Sequence, residues 1–228
     1  MKIALLVCDR VPEPLREKHG TYPDMYRSLF ELPMDAFYVC EGDFPALDDY
    51  KAFICTGSRH SVYEESAWIL ELKQFTQRAY QAGKIFIGVC FGHQLIAESL
   101  GGKVERSDGG FLIGIHTFEI IRPKEWMKPL EREFNILMLC RDQVVKLPET
   151  GDMLAQSPYC PVGAFQMEEH FLGIQGHPEF TNEYNRALFE LRLGKKDAEK
   201  KAYALRIFHE KKADRSRLAA ALRNFLNH

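Results

Sequence analysis

No apolar run in this 228-residue sequence is long enough to cross a bilayer. The longest candidates, Ile3 to Val7 and Ile85 to Val89, have the length of buried strands. The six cysteines, at positions 8, 40, 55, 90, 140 and 160, form no C-x-x-C pair, which argues against a structural zinc site. There is no basic excess either. Lys plus Arg is 30 and Asp plus Glu is 32, a net charge of -2, so nothing equips the chain for nucleic acid or an anionic membrane. The N-terminus opens on a strand-like Lys2-Ile3-Ala4-Leu5-Leu6-Val7 where a signal peptide would need a different pattern. An even number of cysteines also fits a secreted disulfide framework. Their wide scatter among strand-like neighbours points instead to reduced, mostly buried thiols and a cytoplasmic protein. No internal repeat or low-complexity segment is visible.

What is present is an ordinary globular composition, with 46% hydrophobic and 27% charged residues. Short apolar runs alternate with helical patterns. Lys2 to Cys8, Ala36 to Cys40, Ala52 to Cys55 and Lys84 to Cys90 read as strands. Thr21 to Leu32 reads as a helix, with Thr21 as N-cap and Pro23 in the first turn. Ser66 to Gln81 reads as a longer one, because Ile69, Leu72, Phe75 and Ala79 fall near a 3.6 period and Gly83 closes it. Gly92 to Leu100 begins a third, ended by Gly101-Gly102. Strand and helix in alternation predict a mostly parallel sheet with right-handed crossovers.

From Phe111 to Gln175 the pattern changes. Phe111 to Ile121, Phe134 to Leu139, Met153 to Gln156, Ala164 to Met167 and Phe171 to Gln175 read as a mixed or antiparallel extension of the sheet. From about Tyr184 the chain is helical and highly charged. Asp214 is the expected N-cap of a last helix with Leu218, Leu222 and Phe225 on one face. We therefore divide the chain into a domain over 1–183 and a helical extension over 184–228 packed on it. A partner or oligomer surface is the alternative reading of that extension.

The chemistry centres on Gly88-Val89-Cys90-Phe91-Gly92-His93-Gln94. A buried strand runs into Gly-x-Cys-x-Gly and directly into a helix, the form of a nucleophile elbow with Cys in place of Ser. Side chains at Gly88 or Gly92 would collide with neighbouring backbone. The sulfur of Cys90 is held clear of the sheet, and helix-end amides favour a thiolate there. A thiolate nucleophile needs a proton donor for its leaving group and a group that orients the donor. Gly176-His177-Pro178-Glu179, at the end of an apolar strand, supplies both. In extended chain, residues two apart face the same side, so Glu179 can reach the His177 ring. In a parallel sheet strand C-termini gather at one edge, where the two motifs can meet.

Negative charge on the attacked carbonyl oxygen needs an oxyanion hole. One donor is expected from the N–H of Phe91, and the other from Gly57 or Ser58 in the loop after Phe53-Ile54-Cys55-Thr56. His60 and His93 lie beside this site but read as structural. His19, His116, His170, His209 and His228 have no supporting context, and Met25, Met34, Met127, Met138, Met153 and Met167 read as core filler.

The elbow and the Gly176-to-Glu179 motif together resemble the class I glutamine amidotransferases, and Thr56-Gly57-Ser58 with Ser61-Val62-Tyr63 resembles their oxyanion loop. Trp68-Ile69-Leu70, Leu147-Pro148-Glu149-Thr150, Ile174 to Glu179 and Ala213-Asp214-Arg215 are similar to one branch, the plant γ-glutamyl peptidases and their bacterial relatives. The resemblance spans nearly the whole chain. It implies a flavodoxin-like α/β fold, hydrolysis of γ-glutamyl amide bonds, and contact of Gln94 with the glutamyl substrate. It implies no metal and no organic cofactor. One stretch departs from the family, Cys140-Arg141-Asp142-Gln143-Val144, where relatives often carry His-x-Asp before a Val; this bears on leaving-group preference. The expected partner is a small γ-glutamyl molecule. A synthetase that receives ammonia, a homo-oligomer, and a catalytically silent regulatory protein on the same fold stand as alternatives.

Overall fold

A computed structural model describes residues 1–193 and 197–228 of the chain. Residues 194–196 of the expected helical tail lie outside the described residues. In chain order the strands and helices are β1 (Ile3–Leu6), α1 (Glu13–His19), α2 (Tyr22–Phe30), β2 (Asp35–Phe37), β3 (Ala52–Cys55), α3 (Ala67–Gln81), β4 (Ile85–Val89) and α4 (Phe91–Ser99). They continue with β5 (Lys103–Arg106), β6 (Leu112–Ile120), β7 (Glu133–Cys140), β8 (Asp142–Lys146), β9 (Gly151–Ser157), β10 (Cys160–Met167) and β11 (Phe171–Ile174). Three helices close the chain: α5 (Asn182–Leu193), α6 (Ala198–Glu210) and α7 (Arg215–Leu226).

Nine strands form one sheet in the order β2-β1-β3-β4-β11-β10-β9-β6-β7. The first five are mutually parallel, and the rest are antiparallel. Along a strand, alternate side chains face opposite sides. Leu5, Ile54 and Ile87 accordingly join a core beneath α2, α5 and α7, whereas Leu6, Phe53 and Phe86 join a second core beneath α3 and α4. This is the expected α/β architecture. The segment Phe171–Gln175, read from sequence with the extension, belongs to both halves: β11 is parallel to β4 and antiparallel to β10. It is the seam of the sheet.

Most local expectations hold. Thr21 caps α2 through a reciprocal box, its hydroxyl accepting from the Asp24 N–H and the Asp24 carboxylate accepting from the Thr21 N–H. Ile69, Leu72, Phe75 and Ala79 are all buried. Three elements differ. Helix α1 buries no residue, so it leaves no apolar period to read. The strand expected over Ala36 to Cys40 stops at Phe37 and gives way to a short 3-10 turn over Val39–Glu41. Strands β5 and β8 form a separate two-stranded sheet.

The tail is joined to the rest by buried contacts. Leu218, Leu222 and Phe225 are buried, and the Phe225 ring meets Trp126 edge-on at 5.1 Å. Asp214 makes no side-chain cap. Its carboxylate instead accepts from the Asn135 N–H at 2.8 Å, and its own N–H donates to the Asn135 carbonyl at 2.8 Å, so it pins the start of α7 to β7.

Candidate active site

The parallel half ends its strands on one edge, and the predicted residues meet there. Strand β4 delivers Cys90, whose N–H donates to the Ile174 carbonyl at 2.9 Å, locking the elbow to β11. Cys90 has φ 52° and ψ −99°, a conformation a non-glycine residue rarely adopts. The turn is possible because its neighbours lack side chains. A Cβ on Gly88 would sit 2.3 Å from the Gly92 carbonyl oxygen, and one on Gly92 would sit 2.5 Å from the Cys55 carbonyl oxygen.

His177 follows β11 and is held from an unexpected direction. Its N–H donates to the Leu137 carbonyl at 2.7 Å, so β7, at the far end of the sheet order, returns to brace the segment. Gly176 makes that approach possible, because a Cβ there would lie 2.7 Å from the Ile136 side chain. The imidazole stacks on Phe180 at 4.1 Å with nearly parallel rings. Its Nδ1 is 2.8 Å from Oε1 of the buried Glu179. Burial opposes protonation of the ring, but the charge of Glu179, the charge of Cys90 and hydrogen bonding to both side chains prevail, and the His177 pKa rises to about 10. The ring is thus held as a cation beside the sulfur.

Gly57 packs against both groups: a Cβ there would lie 2.8 Å from His177 Cε1 and 3.6 Å from Cys90 Cβ. The loop is stitched to the end of β1. The Thr56 hydroxyl accepts from the Cys8 N–H at 2.9 Å, and the Ser58 hydroxyl donates to the Cys8 carbonyl at 2.9 Å. Phe91 is the first residue of α4, where N–H groups have no partner within the helix. Gly57, Ser58 and Phe91 thus all lie beside Cys90.

A cavity of about 460 Å³ opens over this edge, lined among others by Ser58, Cys90, Gln94, Cys140 and Asp142. Gln94 reaches it with its amide nitrogen engaged, donating to the Asp142 carbonyl at 2.7 Å and to Gln175 Oε1 at 3.1 Å. The divergent stretch Cys140–Val144 is thus part of the cavity wall. Asp142 within it accepts from the Ser61 hydroxyl and pairs with Arg141 at 3.3 Å.

Four other thiols are held protonated by burial. Burial pushes Cys8 well up, Cys40 to about 11, Cys140 well up and Cys160 to about 12. All six cysteines are free. His93 is fully buried and driven down to about 3 by desolvation, a neutral ring edge-on to Phe165 at 4.9 Å, which fits a structural role. His60 is different. It lines the cavity and pairs with Glu64 at 2.8 Å.

Sequence reasoning missed Asp9, Arg59 and Arg192. Asp9 is 5% exposed and binds Arg59 with a 2.7 Å contact, while Arg192 stands 3.7 Å from the same carboxylate. Both arginines line the cavity. These residues belong to three distant segments and carry no motif. Among the described residues no cluster of His, Cys, Asp and Glu is arranged to hold a metal ion.

The chain is 34% identical to gamma-glutamyl peptidase 2 of Arabidopsis thaliana over 181 residues, 75% of this chain and 73% of that one. It is 35% identical to the glutamine-hydrolyzing GMP synthase of Lactobacillus johnsonii over 134 residues, 58% of this chain but 25% of that protein. The crystal structure of a glutamine amidotransferase from Thermotoga maritima superposes with a TM-score of 0.79 over the whole of both chains, at 19% identity. A family model described as glutamine amidotransferase class-I matches residues 46–192, from before the Gly57 loop to beyond Glu179. The chain belongs to the class I glutamine amidotransferase family.

Proposed function

We propose that this protein is a cysteine-dependent hydrolase of γ-glutamyl amide bonds, in glutamine or in γ-glutamyl peptides such as glutathione-like compounds. The observation that carries the reading is the buried row of Cys90, His177 and Glu179, with the ring raised to about 10 by its two neighbours. The Cys90 thiolate, paired with the His177 cation, attacks the γ-carbonyl. The oxyanion is stabilised by the amides of Phe91 and of Gly57 or Ser58. His177 gives its proton to the departing nitrogen, and a γ-glutamyl thioester remains on Cys90. Once the sulfur is acylated its negative charge is gone, so the ring loses one of the causes of its raised pKa. It can then take a proton from water, which attacks the thioester and releases glutamate and the thiol.

Residues 1–183 form the proposed catalytic unit and 184–228 its packed extension, a division supported by the strands and triad all falling in the first part. The six free thiols fit a reducing compartment such as the cytoplasm. A second reading has a specific support: the chain covers only a quarter of the GMP synthase it matches. On that reading it is a glutaminase subunit that delivers ammonia to a separate synthetase.

The purified chain alone should hydrolyse a γ-glutamyl dipeptide, and mass spectrometry of trapped enzyme should find a glutamyl adduct on Cys90. Cys90→Ala should lower turnover by at least roughly 10⁴-fold with an unchanged circular dichroism spectrum. Activity that appears only after a partner protein is added would favour the second reading.

A further inference from the structure

Resting on that reading, we infer that Arg59 and Arg192 form a carboxylate subsite for the leaving amine. The preferred substrates are then γ-glutamyl amino acids or short γ-glutamyl peptides with a free carboxylate, and glutamine is a poor one.

The position of Arg192 is the first support. It lines the cavity over Cys90 with Ser58, and it also lines a narrow recess whose wall includes Gly57, Ser58 and His177. Gln94 and Asp142 line the cavity but not that recess. His177 protonates the departing nitrogen, so the amine must leave on the His177 side. Arg192 therefore borders both the cavity over Cys90 and the recess beside His177, the side on which the amine leaves. Arg59 follows directly after Ser58 in the same loop.

Charge is the second support. Arg59 and Arg192 share a single carboxylate, Asp9, which is buried. Arg59 saturates it: its N–H and guanidinium donate to both oxygens of Asp9 at 2.7–3.0 Å. Arg192 is left at 3.7 Å, beyond good hydrogen-bond length, with its side chain 22% exposed. Two guanidinium groups on one carboxylate leave one positive charge unmatched. Elsewhere on the wall Arg141 pairs with Asp142 and His60 with Glu64. Among the described residues no second carboxylate pairs with Arg192, so the unmatched charge stands beside Asp9. A guanidinium fork matches a carboxylate in two parallel hydrogen bonds. Ammonia brings no carboxylate, so glutamine leaves this subsite unfilled.

The test compares kcat/KM for γ-glutamyl-alanine, γ-glutamyl-alaninamide and glutamine on the full chain. The wild type should favour the acid over its amide by roughly tenfold, the worth of one charge-assisted contact. In Arg192→Gln that ratio should fall toward one, and Arg192→Lys should restore part of it. Arg59→Gln should lower the same ratio. Equal rates on acid and amide in the wild type, a measurement that needs no variant, would overturn the inference and leave the hydrolase reading standing. Loss of all three substrates by one common factor in Arg192→Gln would overturn it too, by assigning the arginine to the α-carboxylate of the glutamyl half. No turnover of any γ-glutamyl compound would overturn the hydrolase reading and this inference with it.

Discussion

The two halves of the sheet do different work. The parallel half, from β2 to β11, brings Cys90, the Gly57 loop and the His177 segment to one edge, as parallel strands must. The antiparallel half, from β10 to β7, carries none of the catalytic candidates. It curls back so that Leu137 of β7 holds the His177 backbone, and β7 and β8 wall the cavity through Cys140 and Asp142. One half positions the candidate reacting groups by local backbone shape. The other shapes what they act on by long-range closure. Substitutions in the first half should therefore cost chemistry or folding outright, and those in the second should be milder and graded.

The largest contrast should come from Glu179→Gln. It removes the charge that contributes most to keeping the His177 ring protonated, while burial continues to oppose protonation. The rate should fall by roughly 10²–10⁴-fold. In the wild type the ring is protonated up to about 10, so the alkaline limb of the kcat/KM profile should lie near there; in the variant it should move to lower pH. The sign for stability follows from the same shift. A raised folded-state pKa stabilises the protein fully below the ordinary histidine value near 6.5, and that contribution fades as pH rises through about 10. Thermal unfolding between those limits should show wild-type stability declining with pH and a flatter profile in the variant.

Gly88→Ala tests the backbone side of the comparison. The added Cβ would meet the Gly92 carbonyl oxygen at 2.3 Å and the His93 nitrogen at 2.8 Å, neither of which is a flexible side-chain end. The loss should be about 1–3 kcal/mol or more in urea unfolding, with activity lost through the displaced elbow. The smallest effect belongs to the antiparallel side. Asp214→Ala removes the carboxylate that accepts from the Asn135 N–H of β7, where the carboxylate is 21% exposed. About 1 kcal/mol is expected, with little change in kcat. A rate loss comparable to that of Glu179→Gln would break the proposed division of labour.

What was legible follows the same line. Gly88-Val89-Cys90-Phe91-Gly92 could be read because strand, glycines and helix start sit within a dozen residues, and sterics leave them few arrangements. The pairing of His177 with Glu179 was legible from extended-chain geometry alone. Asp214 takes the expected N-cap position, but its carboxylate serves Asn135, a partner 79 positions away that no local pattern encodes. The β5–β8 pair was missed because its four- and five-residue strands lie nearly forty positions apart, with β6 and β7 between them.

The sequence by itself determined the strained turn at Cys90, the contact of Glu179 with His177 and the alternation that makes a parallel sheet, since each follows from sterics and periodicity within a few residues. Only the tertiary structure decided that β7 returns to brace His177 and that Arg59 and Arg192 lean on the same Asp9. Those contacts join segments tens to nearly two hundred positions apart, where no local preference encodes the partner. Burial of the whole chain around one sheet selects them.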